Sequence, residues 1–160
     1  MWQSYKPLVT IYIILPPFVN SSLLENSYFA VLYPFTSYVK LQDAYVSEAG
    51  EYYGSWKMIG YTMNSTTNFM FSENGAADGA VATASSTALG EAAATWHAQS
   101  KAALNDCEAE SIWQLTVAKN SSAGGGAVYG ANVTGGAGAD CALLTPSFAK
   151  LSASTVGDVE

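Results

Sequence analysis

The sequence predicts an α+β chain: a long N-terminal α-helical spine over residues 1–50, then a small globular head over 51–160 containing an antiparallel β-sheet and a disulfide-closed C-terminal loop. Three observations carry this. Residues 8–35 hold one charge, Glu25, in an otherwise apolar, aromatic or small polar run, which passes into apolar positions at three- and four-residue spacings. Residues 112–118 alternate, with Trp113, Leu115 and Val117 on one side and Gln114, Thr116 and Ala118 on the other. The cysteines, Cys107 and Cys141, stand 34 positions apart with no CxxC and no histidine at metal-ligand spacing, so a single disulfide accounts for them better than a zinc site. A disulfide implies an oxidising compartment.

The 160 residues allow one domain of ordinary size plus an extension. Hydrophobic residues make up 49% and charged residues 12%, against about 25% charged in ordinary soluble domains. A highly charged disordered chain is excluded. All 6 basic residues are lysines, and the formal net charge is -7, so the clustered cations needed to neutralise nucleic-acid phosphates are lacking. His97 is the only side chain with an ordinary pKa near neutrality, and it has no partner nucleophile in view. No catalytic, cofactor-binding or metal-ligating residue is predicted.

Element by element, the leading run is interrupted by Pro16, Pro17 and Pro34, where a helix must start, kink or locally melt. It has neither the roughly 20 continuous apolar residues of a membrane span nor the basic start and small-residue cleavage site of a signal peptide. Phe35, Tyr38, Val39, Leu41, Tyr45 and Val46 then form the apolar stripe of an amphipathic helix, with Lys40, Gln42, Asp43, Ser47 and Glu48 between them, ending at Gly50. A continuous helix to Gly50 would extend past about 60 Å, more than a head of this size can cover. Part of it requires lipid or a second copy of the chain.

Residues 51–60 suit an irregular loop packed by Tyr52, Tyr53 and Trp56, whose rings either fix the loop to the helix or form a glycan platform. Residues 68–71 read as a short strand, and 72–90, rich in Ala, Gly, Ser and Thr, as an exposed loop. Residues 88–104 are ambiguous. Their alanines favour helix, while Thr95, His97 and Gln99 alternate with Ala94, Trp96 and Ala98 as in a strand. Local propensity alone chooses helix. Residues 120–126 form a turn, 127–133 the returning strand, 135–139 a glycine-rich loop, and the tail after Cys141 a final strand or turn. The glycine clusters lack the spacing of a phosphate-binding loop. N-x-[ST] sequons make Asn20, Asn64, Asn120 and Asn132 candidate glycosylation acceptors.

The stretch Ser37 to Tyr61, with KLQDAY, GSW and IGY, and the segments ALNDCEAESIWQLTVAK and DCALLTPSF together resemble the type IV pilin and pseudopilin family over about residues 37–150. The resemblance implies that residues 92–101 belong to the sheet. It also implies an extracellular, cell-surface homopolymeric filament, with the inner membrane holding the subunit before assembly; from charge and motif content, no nucleic-acid partner and no cofactor are expected. Adhesion is the family's commonest use. Leu8, Ile11, Ile13, Ile14, Leu15, Phe18, Leu23, Leu24, Phe29, Val31 and Leu32 would supply the filament-core contact. The start departs from the family pattern. No FTLIE-type motif is present, the fifth residue is Tyr5, and Glu25 does not correspond to the registering glutamate. An expectation from a different class is a membrane-anchored monomer whose aromatic loop binds glycans or a protein.

Overall fold

A computed structural model describes residues 21–75, 83–122, 126–136, 138–149 and 151, with side chains in the first helix described from Tyr33 onward. Helix α1 (Ser21–Ala49) is followed by strands β1 (Tyr52–Gly54), β2 (Phe69–Ser72), β3 (Ser86–Ala88), β4 (Ala93–Ser100), β5 (Ile112–Lys119) and β6 (Ala127–Val133). Two short helices, α2 (Asp140–Leu144) and α3 (Pro146–Ala149), close the fold. The strands form an antiparallel sheet in the order β2-β4-β5-β6 and a two-stranded sheet, β1-β3.

The expected class, governed by a long helical spine over residues 1–50, is corrected by this arrangement. Two sheets with six strands make up the body, and the helix packing on them through described side chains is the short run from Tyr33 to Ala49. Among the described residues no helix is long and apolar enough to cross a membrane. The reason is visible in composition: Ser21, Ser22, Glu25, Asn26 and Ser27 open α1, and Lys40, Asp43 and Glu48 recur on its outer side. Such a helix gains by burying one stripe against a sheet, not its whole circumference.

That stripe is Phe35, Tyr38, Gln42 and Val46, all buried. The sequence expectation placed Leu41 on it and Gln42 outside. Instead Leu41 is 38% exposed and Gln42 is fully buried. Pro34, inside α1, cannot donate to the preceding turn, and its carbonyl accepts the Tyr61 hydroxyl at 3.1 Å. The helix stops where expected, with Gly50 at φ +77° supplying the left-handed residue after Ala49.

The core between helix and sheet is aromatic. Phe35 meets Phe148 edge-on at 5.1 Å, Tyr61 meets both Tyr38 and Trp56, and Phe69 meets Trp113 at 5.4 Å. Perpendicular pairs of this kind add about 0.5–1.5 kcal/mol each beyond the area they bury. In β5 the predicted alternation holds, with Trp113, Leu115 and Val117 buried. Residues 93–100 are strand, so pairing with β2 and β5 overrides the local helix propensity of the alanines. A β-bulge between Ala94 and Trp96 explains why their alternation is imperfect.

The tail expected as strand or turn is helical. Pro146 opens α3 at the position where its missing N–H costs least. Phe148 is carried into the core, and the Trp113 indole donates to Thr145 Oγ1 at 2.7 Å.

Gly54 packs closely between Tyr45 of the helix and Ile59. A Cβ there would lie 2.7 Å from Ile59 Cγ2 and 3.2 Å from Tyr45 Cε1. Gly54→Ala is therefore expected to lower the unfolding free energy by about 1–3 kcal/mol, the usual cost of overpacking. Urea denaturation followed by tryptophan fluorescence measures it, and an unchanged midpoint would contradict the close packing.

Candidate functional site

Three groups of residues could carry function: the proposed assembly contact, the disulfide region, and a set of polar side chains buried between α1 and the sheets. Leu8, Ile11, Ile13, Ile14, Leu15, Phe18 and Asn20 lie outside the described residues. Leu23, Leu24, Phe29, Val31 and Leu32 fall within α1, in the part whose side chains are not described.

Cys107 and Cys141 are bonded to one another. The local chain prepares this contact. Leu104 and Cys107 exchange both backbone hydrogen bonds around a two-residue turn in which Asn105 adopts φ 53°, a conformation asparagine tolerates better than most residues. Ser100 and Ser111 then close the base of the loop, with the Ser111 N–H donating to Ser100 Oγ at 3.1 Å and the Ser100 N–H to the Ser111 carbonyl at 2.9 Å. On the other side Cys141 sits in α2, where its carbonyl accepts from Thr145 Oγ1. The bond thus joins the β4–β5 loop to the helical tail.

Of the sequons, Asn64 and Asn132 are exposed, the latter on β6 opposite Gln114. Asn120 begins the β5–β6 turn, and its Oδ1 accepts the Ser122 N–H at 2.9 Å.

His97 lies in β4, 8% exposed, with both ring nitrogens engaged. Gln114 Nε2 stands 2.8 Å from His97 Nε2, so the amide donates and Nδ1 carries the proton toward the Glu73 carbonyl at 3.3 Å. This pattern fits only the neutral ring. Burial pushes the His97 pKa below its ordinary value, and the hydrogen bond to Glu73 opposes that in part. The unfolded chain therefore takes up a proton more readily than the folded one. Stability from this group is complete above the ordinary histidine pKa of about 6.5 and is lost as pH falls through the depressed folded value. Urea midpoints measured from pH 7.5 down to 5 should fall, with a slope of at most about 1.4 kcal/mol per pH unit from this group. His97→Gln should flatten that part of the profile, and an identical slope in the variant would contradict the assignment.

The third group was not foreseen as a unit. Gln42 Oε1 accepts the Gly54 N–H at 3.0 Å, while Gln42 Nε2 donates to the Gly54 carbonyl at 2.9 Å and to the Tyr38 hydroxyl at 3.0 Å. A side-chain amide thereby pairs with one backbone residue as a strand neighbour would. Glu73 Oε1 accepts the Trp56 N–H at 2.9 Å, and the Trp56 indole donates to the Thr95 carbonyl at 2.9 Å. The Tyr129 hydroxyl donates to Asp43 Oδ1 at 2.7 Å, tying β6 to the helix. Burial pushes the phenol of Tyr38 up to about 12, although neighbouring Thr95 and Gln42 oppose it. Tyr129 is raised as well, first by burial and then by the Asp43 carboxylate. Both hydroxyls stay protonated near neutrality. The available sequence signal was Gln42 itself, a polar residue four positions from Tyr38 and from Val46 on the buried stripe.

These hydrogen bonds tether α1 to β1 and β6. Among the described residues no group of three or more His, Cys, Asp or Glu side chains is arranged to hold a metal ion. No known family model matches the chain, and no match to a curated protein or a solved structure was found.

Proposed function

We propose that the chain is a structural subunit that self-assembles into an extracellular, type IV pilus-like filament through its apolar leading segment. The observation carrying this is the composition of residues 8–35, which hold a single charge in 28 positions ahead of a body with its own core. A largely apolar segment of this length with a single charge gains by being covered by lipid before assembly and by other copies after it. Repeating one head-to-tail contact between copies generates an open helix. Burying about 1,000 Å² of apolar area per subunit would contribute on the order of 25 kcal/mol before entropy is subtracted.

Support also comes from the body of the molecule. Gln42 and Asp43 hold α1 to Gly54 of β1 and Tyr129 of β6, as expected of a scaffold. The aromatic loop argues against a glycan platform, since Trp56 is buried, Tyr53 is half-buried and only Tyr52 of the three is exposed.

Introducing a charge into the leading segment tests the proposal. Ile13→Asp or Leu24→Asp should abolish filament formation, because an unpaired carboxylate in an apolar contact costs several kcal/mol per subunit and recurs in every copy. The body should remain folded, as judged by an unchanged cooperative urea transition. Variants that still build normal filaments would refute the proposal.

A further inference from the structure

Among the described residues, two buried side-chain polar atoms have no hydrogen-bond partner: Glu73 Oε2 and Thr95 Oγ1. Both are shut off from solvent, and Thr95 as a residue is only 5% exposed. The two side chains belong to one neighbourhood. Glu73 holds the backbone N–H of Trp56, and the Thr95 carbonyl holds the indole N–H of the same residue. The Tyr38 hydroxyl, which already accepts from Gln42, lies next to Thr95 and within the field of Glu73. It faces the Thr95 hydroxyl closely enough to lower the phenol's pKa, yet the approach falls short of hydrogen-bond geometry at Thr95 Oγ1.

The site is built by a break in the sheet. The β4–β5 register shifts between Ala94 and Trp96, making Thr95 the extra residue of a β-bulge. A bulge re-aims the side chain it carries and frees its carbonyl from the ladder. Residues 95–98 are buried in succession, and the Thr95 carbonyl accepts from the Trp56 indole.

We propose that Glu73 Oε2, Thr95 Oγ1 and the Tyr38 hydroxyl form a binding site for one ordered internal water, which completes the link between helix α1 and the bulged strand β4. The donor and acceptor inventory balances. The Tyr38 O–H donates to the water, since its oxygen already receives the Gln42 amide. The Thr95 O–H donates to the water as well, and one water proton goes to the Glu73 carboxylate oxygen, giving the water three hydrogen bonds, the usual number for a buried water. Without it, two buried polar atoms, one on a carboxylate, would bear the full cost of desolvation.

A high-resolution structure of the full chain tests this, together with water-17O relaxation dispersion, which detects water molecules held for long times inside a protein. The expected result is one density peak within about 2.6–3.2 Å of both Glu73 Oε2 and Thr95 Oγ1. Thr95→Val should remove one long-lived water from the dispersion profile, whereas Thr95→Ser, which keeps the hydroxyl, should retain it. A direct hydrogen bond between Glu73 and Thr95 would overturn the proposal. So would a cation ringed by six or more oxygens at about 2.3–2.6 Å, or an undiminished water count in a folded Thr95→Val. If Thr95→Val does not fold, the wild-type density and Thr95→Ser still decide the matter.

Discussion

Replacing Gln42 by alanine is expected to lower the unfolding free energy by about 3–5 kcal/mol, a large share of what holds a domain of this size together. The side chain is fully buried and makes three hydrogen bonds, two of them to the backbone of Gly54. Removing it orphans the Gly54 N–H and carbonyl at the place where β1 crosses the helix, and leaves a cavity beside Tyr38. Gln42→Leu separates these effects, because leucine fills the space but restores none of the hydrogen bonds. Both variants should lose stability to a similar degree in urea titrations if the amide pairing dominates. A much milder Gln42→Leu would assign the cost to packing instead.

The second large effect is expected from the cysteine pair. Cys141→Ser should cost about 4 kcal/mol, the chain-entropy value for a loop spanning the 34-residue separation of the two cysteines. Cys107→Ser should cost the same, and the double variant no more than either single one, because all three remove one bond. Mild reduction of the wild type should bring its urea midpoint to that of the variants. The effect reaches beyond the loop itself. The bond fixes α2, and with it Thr145, the partner of the Trp113 indole, and Phe148, packed against Phe35 and Trp96. Additive losses in the double variant would contradict this account.

Strand β5 and the helix end at Gly50 were legible because each depends on local pattern. Trp113, Leu115 and Val117 alternate without interruption, and Gly50 follows the last apolar position of the stripe. Strand β4 was less legible. The bulge at Thr95 breaks the two-residue period, and alanines on either side imitate a helix. Strand β3 carries only Ser86, Thr87 and Ala88, all exposed, and is strand only because β1 pairs with it. The helices of the tail were not legible because its apolar residues are equally compatible with strand. Pro146 was the neglected helix-start signal.

The spine expectation failed for a related reason. An apolar run and an amphipathic run adjoin in sequence, and that continuity of pattern imitates a fold built around one long helix. The polar residues between Ser21 and Ser27 break the apolar pattern although α1 runs through them, and long-range strand pairing makes up most of the body. The buried polar group was hidden because Gln42, Glu73 and Thr95 are far apart in the chain. Only the placement of Gln42 within the helical stripe could have been read locally. The pairing of Cys107 with Cys141, by contrast, needed only a count of two.

The filament reading rests on the leading segment, and its most direct test is electron microscopy of material sheared from cells expressing the chain, with mass spectrometry to identify the protein and its N-terminal residue. Helical filaments composed of this chain are the predicted result. Sheared material in which the chain occurs only as isolated particles or membrane fragments would contradict the proposed structural role.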